Sequence, residues 1–300
     1  MRKMIVVAAI VMGLLSASAQ SQAQSSQAGS TTSADPNQNA EAELRAKLRA
    51  LAWVTGPTTV PIAGNSRLVI PEHYVFLDAA NTAKFEKIVQ NLGGGTEVLV
   101  APETLRWAAY LVFTNGGYVK DDDKIDAPAL LTTLKRTTED SNAERRRLGY
   151  QTIHIQGWAS LPAYNTTTKR LEWATLLTAD GDGEGPAANF YTKILGRKGH
   201  TSVVMVSSPE DLPTAEASLD SLLNGYSFNP GDTYAEYRPG DKVAEYGLAA
   251  LIVGGAAAVA AKKGLFGVIA TFLAAAWKFL AAGAVAAIAW IRKKIGSKKI

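Results

Sequence analysis

The run from Gly264 to Ile291, GLFGVIATFLAAAWKFLAAGAVAAIAWI, is 28 residues long and holds a single charge, Lys278. No other stretch restricts the chain so strongly. As an α-helix it would reach ~42 Å, enough for a hydrocarbon layer of ~30 Å plus some tilt. Helices of globular domains average only ~10–14 residues. Lys278 near mid-span costs ~2.5–3.5 kcal/mol on insertion scales, which the apolar residues on either side offset. Its ammonium is expected to snorkel or to face another helix. Five of the last nine residues are basic, starting with Arg292, Lys293 and Lys294. The sequence therefore predicts a transmembrane helix over 264–291 and a basic cytoplasmic tail over 292–300. Lys278, Trp290, Arg292, Lys293 and Lys294 form the membrane anchor.

The opposite end explains the orientation. MRKMIVVAAIVMGLLSASAQ has a charged start, an apolar stretch from Met4 to Leu15, and Ala17-x-Ala19. That order reads as a secretory signal over 1–19. Export of the chain beyond residue 19 and one crossing leave the basic tail in the cytoplasm, as the positive-inside rule requires. A first crossing by Tyr246–Ala261 would strand the terminal charges outside. One crossing is favoured, and 241–263 becomes a Gly/Ala-rich juxtamembrane segment. Residues 20–39, rich in Ser, Gln, Ala and Thr, have nothing large to bury and are expected to be disordered. The expected location is a bacterial cytoplasmic membrane, single-pass, with the main domain periplasmic.

Charge supports that division. All 27 acids lie between Asp35 and Glu245; residues 20–245 hold 21 bases, a net −6, although the whole chain is +4. The basic excess belongs to the two ends and describes no nucleic-acid face. The expected partners are the lipid bilayer and other envelope proteins, with no nucleic acid. The chain has no Cys, which removes disulfides, thiolate catalysis and zinc-finger spacing.

Between the ends, residues 40–240 read as an exported α+β domain, a mostly antiparallel sheet with packed helices and a seam near residue 149. Ala40–Trp53 is an amphipathic helix carrying Leu44, Leu48 and Leu51 on one stripe. Strands are expected over 58–62, 67–70, 73–77, 97–101 and 106–113. Asp78 caps a helix through Leu92, and Asp126 caps a long one ending near Gly149. A meander comes next over Gln151–Trp158, Arg170–Thr178, Asn189–Gly196 and Thr201–Ser207, closed by a helix over Thr214–Asn224. With a turn at Asn165-Thr166, Trp158 should lie opposite Trp173, with His154, Gln156 and Trp158 sharing a face. That arrangement is a packing motif or a ligand platform of His154, Trp158, Tyr164 and Trp173.

The segments GYVKDDDKIDAPALL, NAERRRLGYQTIHIQGWASLPAYNTTTKRLEWA, LGRKGHTSVVMV and DKVAEYGLAALIVGG resemble, in order across roughly residues 40–260, one uncharacterised family of bacterial predicted membrane-anchored proteins, a domain of unknown function. The family often has Asp and His where this chain has Asn165 and Lys169. The resemblance implies export and a C-terminal anchor, and supplies no activity and no catalytic residues.

Candidate chemistry is sparse. DGDGEG, Asp180–Gly185, starts like a calcium loop with Asp180 and Asp182, but Pro186 and Tyr191 occupy positions seven and twelve. Asp121 and Asp123, with Asp126, could hold a hard cation, although a charged turn before a helix cap accounts for them. His73, His154 and His200 have no metal-ligand spacing. No residue is assigned a catalytic role and no cofactor is implied. The reading is a membrane-anchored binding or scaffolding domain, the alternative an envelope hydrolase with scattered Asp and His. The two part on whether His154 meets an Asp from 121–126.

Overall fold

The structure, a computed structural model, describes residues 36–180 and 186–254. The signal over 1–19, most of the 20–39 linker, Asp182, and the expected span 264–291 with its anchor residues Lys278, Trp290, Arg292, Lys293 and Lys294 lie outside the described residues. Among the described residues no helix is long and apolar enough to cross a membrane.

The elements, in chain order, are α1 (Pro36–Arg49), β1 (Val54–Thr55), β2 (Thr58–Ile62), β3 (Ser66–Ile70), β4 (Tyr74–Leu77), α2 (Ala79–Ile88), β5 (Val98–Pro102) and β6 (Ala108–Thr114). Then come α3 (Ala127–Arg147), β7 (Ile153–Asn165), β8 (Arg170–Ala179), β9 (Ala187–Leu195), β10 (His200–Ser207), α4 (Leu212–Leu223), β11 (Tyr226–Phe228) and α5 (Leu248–Ile252). The fold is α+β. Eight strands form one antiparallel sheet in the order β1-β4-β5-β6-β10-β9-β8-β7, and a smaller sheet runs β11-β3-β2. β6 pairs with β10, so the large sheet takes strands from both sides of residue 149.

Local chemistry sets the helix ends. Asp78 accepts a hydrogen bond from the Asn81 N–H at 2.9 Å and starts α2; Asp126 does the same for Ala129 at 3.1 Å and starts α3. α2 stops four residues short of the expected Leu92. Gln90 adopts a left-handed conformation (φ +54°), and the Asn91 N–H turns back to the Glu86 carbonyl. α1 starts at Pro36, within the stretch expected to be disordered, where proline's fixed φ suits a first helical turn.

Alternation along the strands fills both sides of the large sheet. On one face Ala109, Leu111, Ile194, Val203 and Met205 pack against Leu212, Leu219 and Leu222 of α4 and against Leu68 and Ile70 of the small sheet. On the other, Leu77, Leu99, Ala101 and Tyr110 pack against Leu48 and Leu51 of α1 and Phe85 of α2. Continuous Val, Ile and Leu runs in these central strands reflect that double burial.

The expected Trp158–Trp173 pair does not form. Asn165 faces Arg170 across a four-residue turn, and Trp158 faces Thr175, because β7 carries three register shifts between Ile155 and Ala163. Each extra residue on the bulged strand moves the side chains beyond it along their partner and breaks strict alternation. Trp173 stacks instead on Tyr191 of β9, rings 5.0 Å apart and 9° from parallel. The chain after residue 240, read as juxtamembrane, is tied to the sheet's flank where Tyr118 exchanges backbone hydrogen bonds with Lys242 and Ala244. By its contacts the chain divides into a unit through Ala249 and another from Ala250 onward, the first holding both sheets.

Candidate functional site

The residues singled out in the sequence fall into two groups, at opposite ends of β7. His154, near the start of the strand, is clasped by two carboxylates. Its Nδ1 lies 2.6 Å from Glu139 of α3 and its Nε2 lies 3.2 Å from Asp180 at the end of β8. Thr152 donates its hydroxyl to the same Asp180 carboxylate. The hydrogen bond to Glu139, then that to Asp180, raise the His154 pKa; Glu139 is held below its usual range by the His154 bond, and Asp180 by the Thr152 hydroxyl and then by His154. With both ring nitrogens engaged, the imidazole has no free lone pair to act as a general base.

Asp121 sits at the far end. It accepts from the Tyr164 hydroxyl at 2.8 Å and from Lys169 at 3.0 Å, and Lys169 lies 5.0 Å from the centre of the Tyr234 ring. Tyr234 in turn stacks on Tyr118. Asp123 crowds Gly247, where an added Cβ would fall 2.1 Å from the carboxylate. His154 thus meets Glu139 and Asp180, while Asp121 meets Tyr164 and Lys169, so the expected test pairing of His154 with Asp121 is not made. No group of three or more His, Cys, Asp or Glu able to hold a metal occurs among the described residues. Trp158 donates its indole N–H to the Ala127 carbonyl at 3.3 Å, pinning the start of α3, while Trp173 is buried at 2% exposure. The expected platform of His154, Trp158, Tyr164 and Trp173 is not assembled as one surface.

α3 lies along β7, the edge strand, for a definable reason. Asn142 is fully buried and its amide donates to the Ile153 carbonyl (2.8 Å) and accepts from the Ile153 N–H (3.0 Å). These are the two bonds a neighbouring strand would make, so the side chain satisfies an exposed sheet edge.

A cavity of about 250 Å³ opens on the sheet face that carries α1 and α2. Its floor is Tyr110 of β6, Val206 of β10, Ala187 and Asn189 of β9, and Leu177 of β8; its walls are Phe85 and Val89 on one side and Arg145 of α3 on the other. Strand register places the floor residues on one face: Tyr110 opposite Val204, Asn189 opposite Val206, Ala187 opposite Leu177. Asn91, on the wall, donates to the carboxyl of Glu86 at 3.4 Å. Glu86 is buried at 4% exposure, and burial, then the nearby Glu97 carboxylate, raise its pKa to about 7. Burial likewise raises Tyr110 above the usual phenol range. Sequence reasoning missed this site: its residues come from seven elements, and none carries a motif.

A second polar group on the same face was also missed. Lys193 donates to Ser202 at 2.8 Å beside the Trp173 ring, and burial lowers its pKa to about 8. Burial, then the Lys193 charge, push His200 down to about 3, leaving it neutral. The readable signal was the alternation Asn189, Tyr191, Lys193 in β9, polar on one face and Phe190, Ile194 on the other.

Comparison with known proteins gives a family and two distant folds. A family model described as "Protein of unknown function (DUF2167)" matches residues 54–288. No curated protein matches the chain in sequence. Among solved structures, cyanobacterial PsbP (CyanoP) from Synechocystis sp. PCC 6803 matches at 8% identity and TM-score 0.34, over 59% of this chain and 95% of its own. The Saccharomyces cerevisiae Ran-binding protein Mog1p matches at 10% identity and TM-score 0.28, over 58% and 96%.

Proposed function

We propose, from the premise that the chain belongs to the DUF2167 family of proteins of unknown function, that it is an extracytoplasmic small-molecule-binding domain tethered to the cytoplasmic membrane by its C-terminal apolar run. The observation that carries the binding half is the cavity on the large sheet. It combines an apolar floor with a few converging polar groups, the composition of ligand sites, and lies just below their usual ~300–1,000 Å³. At ~30 Å³ per water-sized group it has room for roughly eight non-hydrogen atoms. The tether rests on the sequence: the family match continues to residue 288, so it takes in most of the apolar run. The bilayer is then the first partner and other envelope proteins the second.

Each half has its test. Reporters fused after Ile300 should be active only if they work in the cytoplasm; activity of a periplasmic reporter overturns the single crossing. For the cavity, Ala187→Phe places a ring on the floor. Small apolar probes should bind the native chain and lose binding in this variant, and equal binding by both sends the ligand elsewhere.

A further inference from the structure

The cavity's lining is positively charged, and its charge is unbalanced. Two arginines, Arg106 and Arg145, line it together with no Asp or Glu. Arg106, at the rim, is neutralised by Asp211. Arg145 is different. It is buried at 8% exposure, and its guanidinium donates to two backbone carbonyls, those of Gln151 and Gln90, the latter at 3.1 Å. It has no carboxylate partner among the described residues.

The plain explanation is a clamp: Arg145 joins the end of α3 to the exit of α2 and the start of β7. Carbonyls supply hydrogen bonds but no net charge. The C-terminal end of α3 contributes only about half a negative charge. Glu86, a buried acid of α2, is not part of the cavity lining and does not complete the balance. It is half-protonated at neutral pH, and its shift comes from burial and Glu97, not from an arginine. A buried cation compensated in part is costly, and a ligand anion would relieve that cost. The lining also holds Phe85, Val89, Leu177 and Val206, which suit an apolar body, beside the uncharged polar groups of Asn91, Thr178 and Asn189.

We infer that the cavity takes a small organic carboxylate, its anion at the Arg145 guanidinium and its apolar part on the sheet. This rests on the cavity being a binding site and names the ligand class. Guanidinium and carboxylate match as planar forks, which favours this anion over a halide or a neutral polar head.

The test uses the full chain in lipid nanodiscs, with empty discs as blank, and saturation-transfer NMR titration of three probes of like size: hexanoate, hexan-1-ol and hexylamine. Hexanoate should bind at least tenfold tighter than either other probe and be lost in Ala187→Phe. Arg145→Met should erase the tenfold preference. Where that variant does not fold, Asn189→Asp, which sets a carboxylate on the cavity floor, should weaken hexanoate and strengthen hexylamine. Equal affinity for the three probes, or a hexanoate preference unchanged in folded Arg145→Met or Asn189→Asp, overturns the inference while leaving the cavity reading intact. Failure of all three probes to bind overturns both.

Discussion

Glu86 gives the sharpest stability prediction. The residue sits on α2 with its carboxyl turned inward, under Asn91 and against Gly93, where an added Cβ would fall 1.7 Å from Oε2. Its pKa rises from 4.5 to about 7. The folded state therefore holds this proton more tightly than the unfolded state does. The resulting stabilisation is fully present below the unfolded value of ~4.5 and is lost as pH climbs to about 7. At ~1.4 kcal/mol per pH unit the ceiling is ~3.4 kcal/mol. The Asn91 hydrogen bond and the open cavity nearby soften this, and a loss of ~1–3 kcal/mol between pH 4.5 and 8 is expected. Glu86→Gln removes the ionisation and keeps the shape. Urea midpoints of the purified chain should show the variant equal to the native protein at pH 4, and more stable by ~1–3 kcal/mol at pH 8. If the two lose stability in parallel from pH 4 to 8, the buried carboxyl is not the source of the pH dependence and the argument fails.

Two other contacts give further outcomes. Asn142→Ala removes both bonds to Ile153 and leaves the half-buried N–H and C=O of that residue unpaired, so a loss of ~1–3 kcal/mol in urea unfolding is expected; a loss under ~0.5 kcal/mol would show that water replaces the amide. For the His154 clasp, the imidazolium's contribution is full below ~6.5 and disappears as pH rises through its raised value, while those of Glu139 and Asp180 are full above ~4 and disappear on acidification. Imidazole NMR should give a His154 midpoint above 6.5, falling in Glu139→Gln; an unmoved midpoint would break the claim.

What the sequence determined is whatever is local. The β-prone runs over 170–178 and 201–207 marked β8 and β10, and Asp78 and Asp126 marked helix starts, because residue preference and capping act within a few residues. The α+β class came from the order of such segments, and the family resemblance from their motifs. Solvation also reads locally, so the apolar run Gly264–Ile291 and its basic tip make their membrane expectation without any fold. Tertiary structure alone decided the rest. The bulges in β7 cannot be read from periodicity, since a strand's register is set by its partner, and three shifts separated Trp158 from Trp173. The cavity joins Phe85, Tyr110, Arg145, Leu177 and Asn189, which are distant in sequence and ordinary as residue types. Burial, which arises only once the layers stack, gives Glu86, Lys193 and Arg145 their unusual electrostatics.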